Sequence, residues 1–406
     1  MWHRGSVGVG KVSVQFTTHQ MPLSKAQTNS QAGIYLHIPF CKQACHYCDF
    51  HFSTNLSFKS LMVHSIQKEL ALRQDYLKGI PITSIYFGGG TPSLLTLVEI
   101  EQLLNQVVRC FPIAPAAEIT LEANPDDLTL EKLQGLNHMG VNRLSIGIQS
   151  FNDQALRYMN RAHTSSMAQN SVAWARTAGF DNLSIDLIYA IPGTTMCDWH
   201  ADLTQALLLE PAHISTYCLT IKPKTVFGYW HKQGSLVELD ETFAAEQFER
   251  TVAACAQQGY LHYEISNFCK PEKYSRHNTN YWKSGPYIGV GPGAHAYNGQ
   301  QRQWNIAHNA LYIKAIQNGK LPYTEETLTV ANHVNEYMMT SLRTCWGCDF
   351  DWIYAQYGID LMAIQKDYLE KIMQWKLAYL TGHILYLTNS GKLLADKIAS
   401  DLFVDG

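Results

Sequence analysis

The sequence lacks the features that mark membrane-spanning and strongly charged proteins. No run approaches the roughly 18 consecutive apolar residues that are needed to cross a bilayer. The 31 basic and 34 acidic side chains leave a net charge of -3 over 406 residues. Charge therefore gives no reason to expect nucleic acid or an anionic membrane as a partner. We expect a cytoplasmic protein with no nucleic-acid partner and at most peripheral membrane association.

The ten cysteines lack the spacing of a disulfide framework, and no secretory signal precedes them. This pattern is typical of reduced thiols in a cytosol-like compartment. The first residues carry Arg4, Lys11 and Lys25 but no apolar core of a signal peptide. We expect residues 1–32 to form a disordered leader. Translation starting at Met21 and an organelle-targeting segment are the alternatives.

Three of the cysteines, Cys41, Cys45 and Cys48, form a C-x3-C-x2-C pattern. Three thiolates on one loop suit a cubane iron–sulfur cluster, whose irons take cysteine sulfur. With three protein ligands for four irons, one iron keeps an open position at which a small molecule can bind. A zinc knuckle closed by His51 is the alternative interpretation.

From residue 34, short apolar runs alternate with stretches of helical periodicity. Helical stretches such as 56–76, 97–110 and 165–178 separate these runs. Strands that alternate with helices predict a parallel sheet with right-handed crossovers. The runs that we expect to be strands are Ile34–Ile38, Ser84–Phe87, Glu118–Ala123, Arg143–Gln149, Leu183–Ile188 and His213–Leu219. Six units predict an α/β fold, an incomplete (β/α)6 barrel, with its active site at the carboxyl ends of the strands.

Polar and glycine residues gather at that predicted end of the barrel. The cysteine loop follows strand one, and the glycine-rich stretch 88–93 follows strand two. No lysine follows these glycines, so they do not form a nucleotide phosphate loop. The residues that end or lie in the later strands are Glu122, Gln149, Asp186 and Tyr217. With Arg161, such groups suit a zwitterionic ligand that carries a ribose, although each taken singly also fits an ordinary surface or strand-end pair.

After about residue 225 the alternation stops. We expect a helix at Thr242–Gln257, a short strand at Tyr263–Phe268 and, at 276–295, a turn-rich stretch that is not one regular element. Helices and a small hairpin near the end predict a winged-helix-like C-terminal domain. We divide the chain into a leader at 1–32, a barrel at 33–235, a barrel extension at 236–303 and a C-terminal domain at 304–406. Cys345 and Cys348 are either half of a second metal site or two ordinary thiols.

Together, these motifs resemble the radical S-adenosylmethionine superfamily. The chain is most similar to the branch that contains oxygen-independent coproporphyrinogen III oxidase and a related haem chaperone. In that family the open iron binds the amino and carboxylate groups of S-adenosylmethionine. The resemblance implies a [4Fe-4S] cluster on the three cysteines and an S-adenosylmethionine site. The residues that it assigns to this site are Tyr35, Gly89, Gly90, Thr91, Glu122, Gln149, Arg161 and Asp186.

Two departures from the oxidase favour the chaperone. The oxidase has a further cysteine two positions after the third ligand, where this chain has Phe50, and the leader does not match the arm of the oxidase. In addition, the stretch from His277 to Trp282 matches a His-Asn-x-x-Tyr-Trp motif associated with haem handling in the chaperone, which makes His277 a candidate haem ligand.

We therefore predict a haem chaperone that transfers haem to acceptor haemoproteins, respiratory ones among them. Coproporphyrinogen oxidation in porphyrin biosynthesis and a zinc-stabilised scaffold are the alternatives. Cleavage of S-adenosylmethionine and assembly as a homodimer are left open.

Overall fold

The computed structural model describes residues 31–237 and 239–405, so the predicted leader lies almost wholly outside the described residues. Six parallel strands form the centre of the structure. They are β1 (Ala32–Ile38), β2 (Ile82–Gly89), β3 (Ile113–Ala123), β4 (Arg143–Gln149), β5 (Leu183–Tyr189) and β6 (His213–Cys218). Their spatial order follows the chain, and each is parallel to the next. The predicted α/β fold with an incomplete barrel is confirmed.

Helices cover the outer face of this sheet, except that the fourth, Asp153–Tyr158, packs with Ile188 and Phe227 in a separate cluster. They are α1 (Lys59–Leu72), α2 (Leu97–Cys110), α3 (Leu130–His138), α4 (Asp153–Tyr158), α5 (Ser165–Thr177) and α6 (Met196–Leu208). Alternate strand residues such as Leu36, Ile146 and Ile185 point at the helices and are fully buried. The intervening strand residues point into the barrel, and several of them, such as Tyr86, Glu122 and Ser145, are polar. The sequence therefore builds an apolar outer layer and a polar interior.

The sheet continues on both sides to twelve strands and stays open. On one side, β8 pairs antiparallel with β6, and on the other, β9 pairs parallel with β1. The added strands are β7 (Leu261–Glu264), β8 (Asn267–Cys269), β9 (Tyr287–Val290), β10 (His295–Tyr297), β11 (Gln301–Asn305) and β12 (Tyr323–Thr327). The accompanying helices are α7 (Val226–Lys232), α8 (Glu241–Gln257), α9 (Arg276–Trp282) and α10 (Asn309–Gln317).

One sequence prediction in this region was wrong, because the single strand expected at Tyr263–Phe268 is a hairpin of β7 and β8. The turn-rich stretch, expected not to form one regular element, contains α9 and β9 joined by turns. Helix α9 has poor intrinsic propensity, and its amino terminus is held from outside the helix. The Glu118 carboxylate of β3 accepts hydrogen bonds from the backbone N–H groups of Arg276 and His277, each at 3.2 Å.

The remaining residues form a smaller unit of helices and a three-stranded sheet in the order β13-β15-β14. Its elements are α11 (Val330–Ser341), β13 (Cys348–Asp349), α12 (Phe350–Tyr357), α13 (Leu361–Ile364), α14 (Lys366–Gln374), β14 (Ala378–Thr381), β15 (Ile384–Leu387), α15 (Asn389–Lys392) and α16 (Ala395–Asp401). A helix, a strand, further helices and a hairpin follow one another as in a winged helix. Strands β11 and β12, with α10 between them in the chain, continue the large sheet past residue 304. The division into domains stays a prediction.

The smaller unit attaches to the barrel through residues 343–346. Thr344 forms a β-bridge with Glu264, and the Cys345 N–H donates to the Tyr263 carbonyl at 2.8 Å. The Lys283 ammonium, just after α9, lies 4.7 Å from the centre of the Trp346 ring. Helix α9 is therefore held between the barrel and the smaller unit. None of the helices in the described residues is long and apolar enough to span a membrane.

Candidate cluster and cofactor site

The cysteine loop begins at the carboxyl end of β1 and is pinned at its base. The Cys41 N–H donates to the Ser53 carbonyl at 3.1 Å, and the Ser53 N–H donates to the Pro39 carbonyl at 2.9 Å. Cys41, Cys45 and Cys48 are all partly buried free thiols. Phe50, which follows them, is 69% exposed. The loop thus presents three sulfur atoms at the barrel end that the sequence predicted.

These thiols suit a cluster better than a single ion. Among residues 31–237 and 239–405, no group of three His, Cys, Asp or Glu side chains is close enough together to hold one metal ion. A cubane cluster needs three separate iron–sulfur bonds, whereas zinc needs all its ligands around one centre. His51, the expected fourth zinc ligand, instead has Nε2 at 2.8 Å from Asn309 Oδ1. This contact of His51 disfavours the zinc interpretation.

Two donors approach the cysteine sulfurs. The Thr91 hydroxyl donates to Cys41 Sγ at 3.3 Å, and Arg161 Nη1 donates to Cys45 Sγ at 3.4 Å. Burial raises the pKa of Cys41 to about 12 and that of Cys48 to about 11. The Arg161 charge only partly offsets this effect, and thiols in such surroundings ionise when they bind a metal.

The glycine-rich stretch packs directly against the start of the cysteine loop. The Gly90 N–H donates to the Ile38 carbonyl at 2.9 Å, and the Thr91 N–H donates to the Phe40 carbonyl at 2.7 Å. A Cβ at Gly90 would lie 2.6 Å from the Phe40 carbonyl oxygen. Gly89 has φ of +109°, and a Cβ there would lie 2.6 Å from the His37 ring. These glycines fix the distance between strands one and two at the site.

Two carboxylates face the barrel interior. Glu122 accepts a hydrogen bond from the Tyr86 hydroxyl at 2.7 Å, and Asp186 accepts from the Ser145 hydroxyl at 3.2 Å. Burial raises the pKa of Glu122 to about 7 and also raises the pKa of Asp186. Glu122 therefore carries less negative charge near neutral pH than an exposed carboxylate does.

Gln149 and Arg161 border the same end of the barrel. Gln149 ends β4 at an irregularity in the pairing with β5 and has φ of +68°. Arg161 Nη2 donates to Asn124 Oδ1 at 2.6 Å and to the Gly147 carbonyl at 2.7 Å, while its Nε has no partner among the described residues. The structure thus brings Arg161 to the cysteine loop, with Nε as its remaining donor.

Tyr35 and His37 line the inner face of β1. The Tyr35 hydroxyl lies 3.2 Å from His37 Nδ1, and His37 Nε2 lies 2.9 Å from the His51 carbonyl oxygen. Burial lowers the pKa of His37 to about 4. His37 is therefore neutral near pH 7. Its two contacts link Tyr35, a predicted S-adenosylmethionine contact, to His51 at the end of the cysteine loop.

His277 enters the barrel from the opposite end, which we call the barrel floor, on helix α9. It is 1% exposed, with Nδ1 at 2.9 Å from Ser84 Oγ and Nε2 at 2.8 Å from the Tyr281 hydroxyl. Its ring stacks on that of Tyr86, with centroids 4.9 Å apart. At the usual rise per strand residue, the backbone distance from Ser84 to Gly89, at the other end of β2, is about 16 Å. His277 is thus separated from the cysteine loop by much of the depth of the barrel.

Sequence reasoning missed three residues of this interior: Ser84, Tyr86 and Arg143. Each lies at an inward position of its strand, and Arg143 is 2% exposed. The polar members of the alternating strand pattern could have identified them, because every second strand residue faces the barrel.

The fold and the three-cysteine loop define a protein of the Radical SAM superfamily, whose family model matches residues 35–206. The heme chaperone HemW of Bacillus subtilis is 35% identical over 90% of this chain and 97% of its own length. HemW of Synechocystis is 36% identical over 77% of this chain and 78% of its own. The chain belongs to the HemW family.

Among solved structures, the fold is similar to that of coproporphyrinogen III oxidase (HemN) from Escherichia coli. The TM-score is 0.80 at 22% identity, covering 92% of this chain and 90% of the other. This likeness establishes the fold.

Proposed function

We propose that this protein is a cytoplasmic haem chaperone that holds a [4Fe-4S] cluster, binds S-adenosylmethionine and haem, and passes haem to acceptor haemoproteins. The observation that carries the proposal is the three-cysteine loop followed by Phe50 in a chain that aligns with HemW over 97% of the relative's length. Position 50 is thus Phe rather than a fourth cysteine, and its side chain points out to solvent.

Cys41, Cys45 and Cys48 would hold the cluster, with Thr91 and Arg161 donating to two of the sulfurs. Hydrogen bonds to sulfur are one way in which proteins tune the reduction potential of such clusters. The bound cluster supplies an open iron for the amino and carboxylate groups of S-adenosylmethionine. The remaining predicted contacts, Tyr35, Gly89, Gly90, Glu122, Gln149 and Asp186, line the barrel end and interior around that position.

For haem, we propose His277 as an axial ligand through Nε2. The Ser84 hydroxyl engages Nδ1 at 2.9 Å, which leaves Nε2 as the atom for iron and fixes the ring orientation, as ligating histidines usually require. Burial, together with the Arg143 charge, lowers the pKa of His277 to about 3, so the imidazole is neutral at physiological pH. Ligation requires the Tyr281 hydroxyl, now 2.8 Å from Nε2, to give way.

The test is a haemin titration of anaerobically purified protein, reconstituted with iron and sulfide, beside a porphyrinogen turnover assay. We expect a Soret shift with saturable binding, no porphyrinogen turnover and haem transfer to an apo-cytochrome. His277→Ala should abolish the axial-ligand spectrum and keep the cluster absorbance.

The matched control is His213→Ala. His213 is equally buried and also has both nitrogens bonded, to Ser184 at 2.8 Å and to Tyr263 at 2.8 Å. If His213→Ala changes the spectrum as much as His277→Ala does, His277 is not the ligand. Conversion of propionates to vinyl groups would instead make the protein an oxidase, and an absence of haem binding would end the chaperone proposal.

A further inference from the structure

Asn124 follows β3 and touches both of the side chains that donate to the cysteine sulfurs. Its Oδ1 accepts from Arg161 Nη2 at 2.6 Å, and its Nδ2 donates to Thr91 Oγ1 at 3.3 Å. Thr91 in turn donates to Cys41 Sγ, and Arg161 donates to Cys45 Sγ. One amide therefore stands behind two hydrogen bonds to two of the three predicted cluster ligands.

The direction of these hydrogen bonds follows from the chemistry of the partners. A guanidinium can only donate, so the oxygen of the Asn124 amide faces Arg161 and its nitrogen faces Thr91. The Thr91 hydroxyl, which is 4% exposed, accepts from Asn124, and its single hydrogen is left for Cys41 Sγ. A cluster-bound thiolate has no hydrogen and can only accept. The amide thus aims the hydroxyl hydrogen at the sulfur.

The same amide orients Arg161. Its Nη2 is shared between Asn124 Oδ1 at 2.6 Å and the Gly147 carbonyl at 2.7 Å, while its Nη1 lies 3.4 Å from Cys45 Sγ. A planar guanidinium with one nitrogen fixed on two acceptors has little freedom to rotate. The second hydrogen bond to sulfur therefore depends on Asn124 as well.

The Asn124 backbone is itself fixed at the end of β3. Its N–H donates to Ser93 Oγ at 3.1 Å, and the Ser93 hydroxyl donates to Asp127 Oδ2 at 2.7 Å. The following residue, Pro125, favours extended backbone at Asn124, which has φ of -90° and ψ of 143°. The amide is therefore presented from a braced position next to the cysteine loop.

The choice of asparagine at position 124 is informative, because aspartate would bind Arg161 more strongly. A carboxylate makes a charge-assisted hydrogen bond to a guanidinium, whereas an amide makes a weaker one. Aspartate has no donor, however, so it would accept the Thr91 hydroxyl hydrogen and draw it away from Cys41. The amide supplies both an acceptor for Arg161 and a donor for Thr91. The residue type therefore matches the task of holding two donors toward sulfur.

We propose that Asn124 is a positioning residue that raises the reduction potential of the cluster through Thr91 and Arg161. The inference rests on the proposed function, because it requires the [4Fe-4S] cluster on the three cysteines. Hydrogen bonds to the cysteine sulfurs stabilise the reduced cluster, which carries one more negative charge, and so raise its potential. Without the amide, both donors are free to turn away from sulfur, and the cluster becomes harder to reduce.

The experiment measures the reduction potential of the reconstituted cluster by an EPR-monitored titration with dithionite, with iron and sulfide content determined in parallel. Asn124→Leu removes both hydrogen bonds at a similar volume, and Asn124→Asp keeps the acceptor for Arg161 but takes the donor from Thr91. Both substitutions are repeated in a Thr91→Val background, which has no hydroxyl to orient. Denaturant unfolding confirms that each variant folds.

Asn160→Asp is the matched control for the added negative charge. The Asn160 amide also contacts the cysteine loop, donating to the Ala44 carbonyl at 2.8 Å and accepting from Gln43 at 2.7 Å. Within the described part of the chain, it makes no hydrogen bond to the side chains of Thr91 or Arg161. An aspartate at this position therefore adds the same charge beside the loop without redirecting either sulfur donor.

We expect Asn124→Asp to lower the affinity of the cluster for an electron by about tenfold, which is the effect of losing one hydrogen bond to a charged group. Tenfold corresponds to about 59 mV for a one-electron couple. Asn124→Leu should give a smaller shift in the same direction, because the Thr91 hydroxyl is released but not drawn away. In the Thr91→Val background, the shift caused by Asn124→Asp should shrink to that of Asn160→Asp.

A wild-type potential in both folded, cluster-loaded Asn124 variants would overturn the inference. A shift by Asn124→Asp that equals that of Asn160→Asp, or that persists in full without the Thr91 hydroxyl, would overturn it too, because charge alone would account for it. Folded Asn124 variants that load no cluster would make the residue one of cluster retention and reject its role in the potential. If Asn124→Leu does not fold, Asn124→Asp decides alone. Wild-type protein that loads no cluster removes the cluster from the proposed function, and this inference with it.

Discussion

Ser84 Oγ lies 2.9 Å from His277 Nδ1, although the two residues are 193 positions apart in the chain. The serine belongs to the second strand of the barrel and the histidine to a helix that closes the barrel floor. This hydrogen bond connects the motif His277–Trp282, which contains the proposed haem ligand, to β2, the strand that leads into the glycine-rich stretch.

Ser84→Ala should therefore weaken haemin binding by about tenfold, because a ligating histidine loses the partner that orients its ring. Cluster content should not change. The measurement is a haemin titration by absorbance. Ser184→Ala is the matched control, since Ser184 makes the same bond to His213 at 2.8 Å. Equal losses in both variants would point to general destabilisation.

Gly89→Ala should destabilise the protein more than Gly79→Ala does. Both glycines have positive φ, +109° and +76°, but a Cβ at Gly89 meets the His37 ring at 2.6 Å and one at Gly79 meets nothing within 4 Å. We expect about 1 kcal/mol for the backbone strain alone and about 1–3 kcal/mol more for the clash at Gly89. Denaturant unfolding of the two variants measures the difference. Equal losses would mean that His37 moves aside at little cost.

Glu122→Gln should change how stability depends on pH. Glu122 ionises near pH 4 when unfolded, but burial raises its pKa to about 7 in the folded protein. The wild type therefore loses stability, relative to the variant, as pH rises from about 4 to 7. The cost of ionising the buried carboxyl is about 3 kcal/mol, since each unit of pKa shift corresponds to about 1.4 kcal/mol. Urea unfolding at pH 4.5 and 7.5 tests this, and a constant difference between the two proteins would contradict it.

Trp346→Ala should loosen α9 without affecting the cluster. Trp346 packs near Lys283 and, at 5.9 Å between ring centres, against Tyr274, on either side of that helix. We expect faster hydrogen exchange at residues 276–282 and haemin affinity lowered severalfold. Trp375→Ala is the control, because Lys371 also lies 4.7 Å from its ring, away from α9. Unchanged exchange in α9 would show that the smaller unit does not hold this helix.

The sequence was sufficient for the central strands because each carries its own pattern. Strand β4 at Arg143–Gln149 and helix α2 at Leu97–Cys110 were predicted to the residue. Helix α2 has an amphipathic face and a capping box at Thr96 and Glu99. Local signals of this kind need no tertiary partner.

The barrel floor was not predictable in the same way. Helix α9 spans seven residues and depends on Glu118, a residue of β3, to satisfy its first N–H groups. Strand β9 contains Gly289, where a Cβ would lie 2.0 Å from the His295 carbonyl oxygen of the neighbouring strand. Both elements depend on distant partners, and α9 has in addition a local cap, the Ser275 hydroxyl that accepts from the Asn278 N–H. The burial of His277 and the tautomer that Ser84 favours depend on such partners too.

The parallel pairing of β9 with β1 also has a consequence for synthesis on the ribosome. Ile34 aligns with Ile288. At about 5–20 residues per second, the first strand waits roughly 10–50 seconds for this neighbour to be translated. Until then β1 has no partner on its outer edge, so the sheet cannot extend beyond the first strand before residues 287–290 have been made.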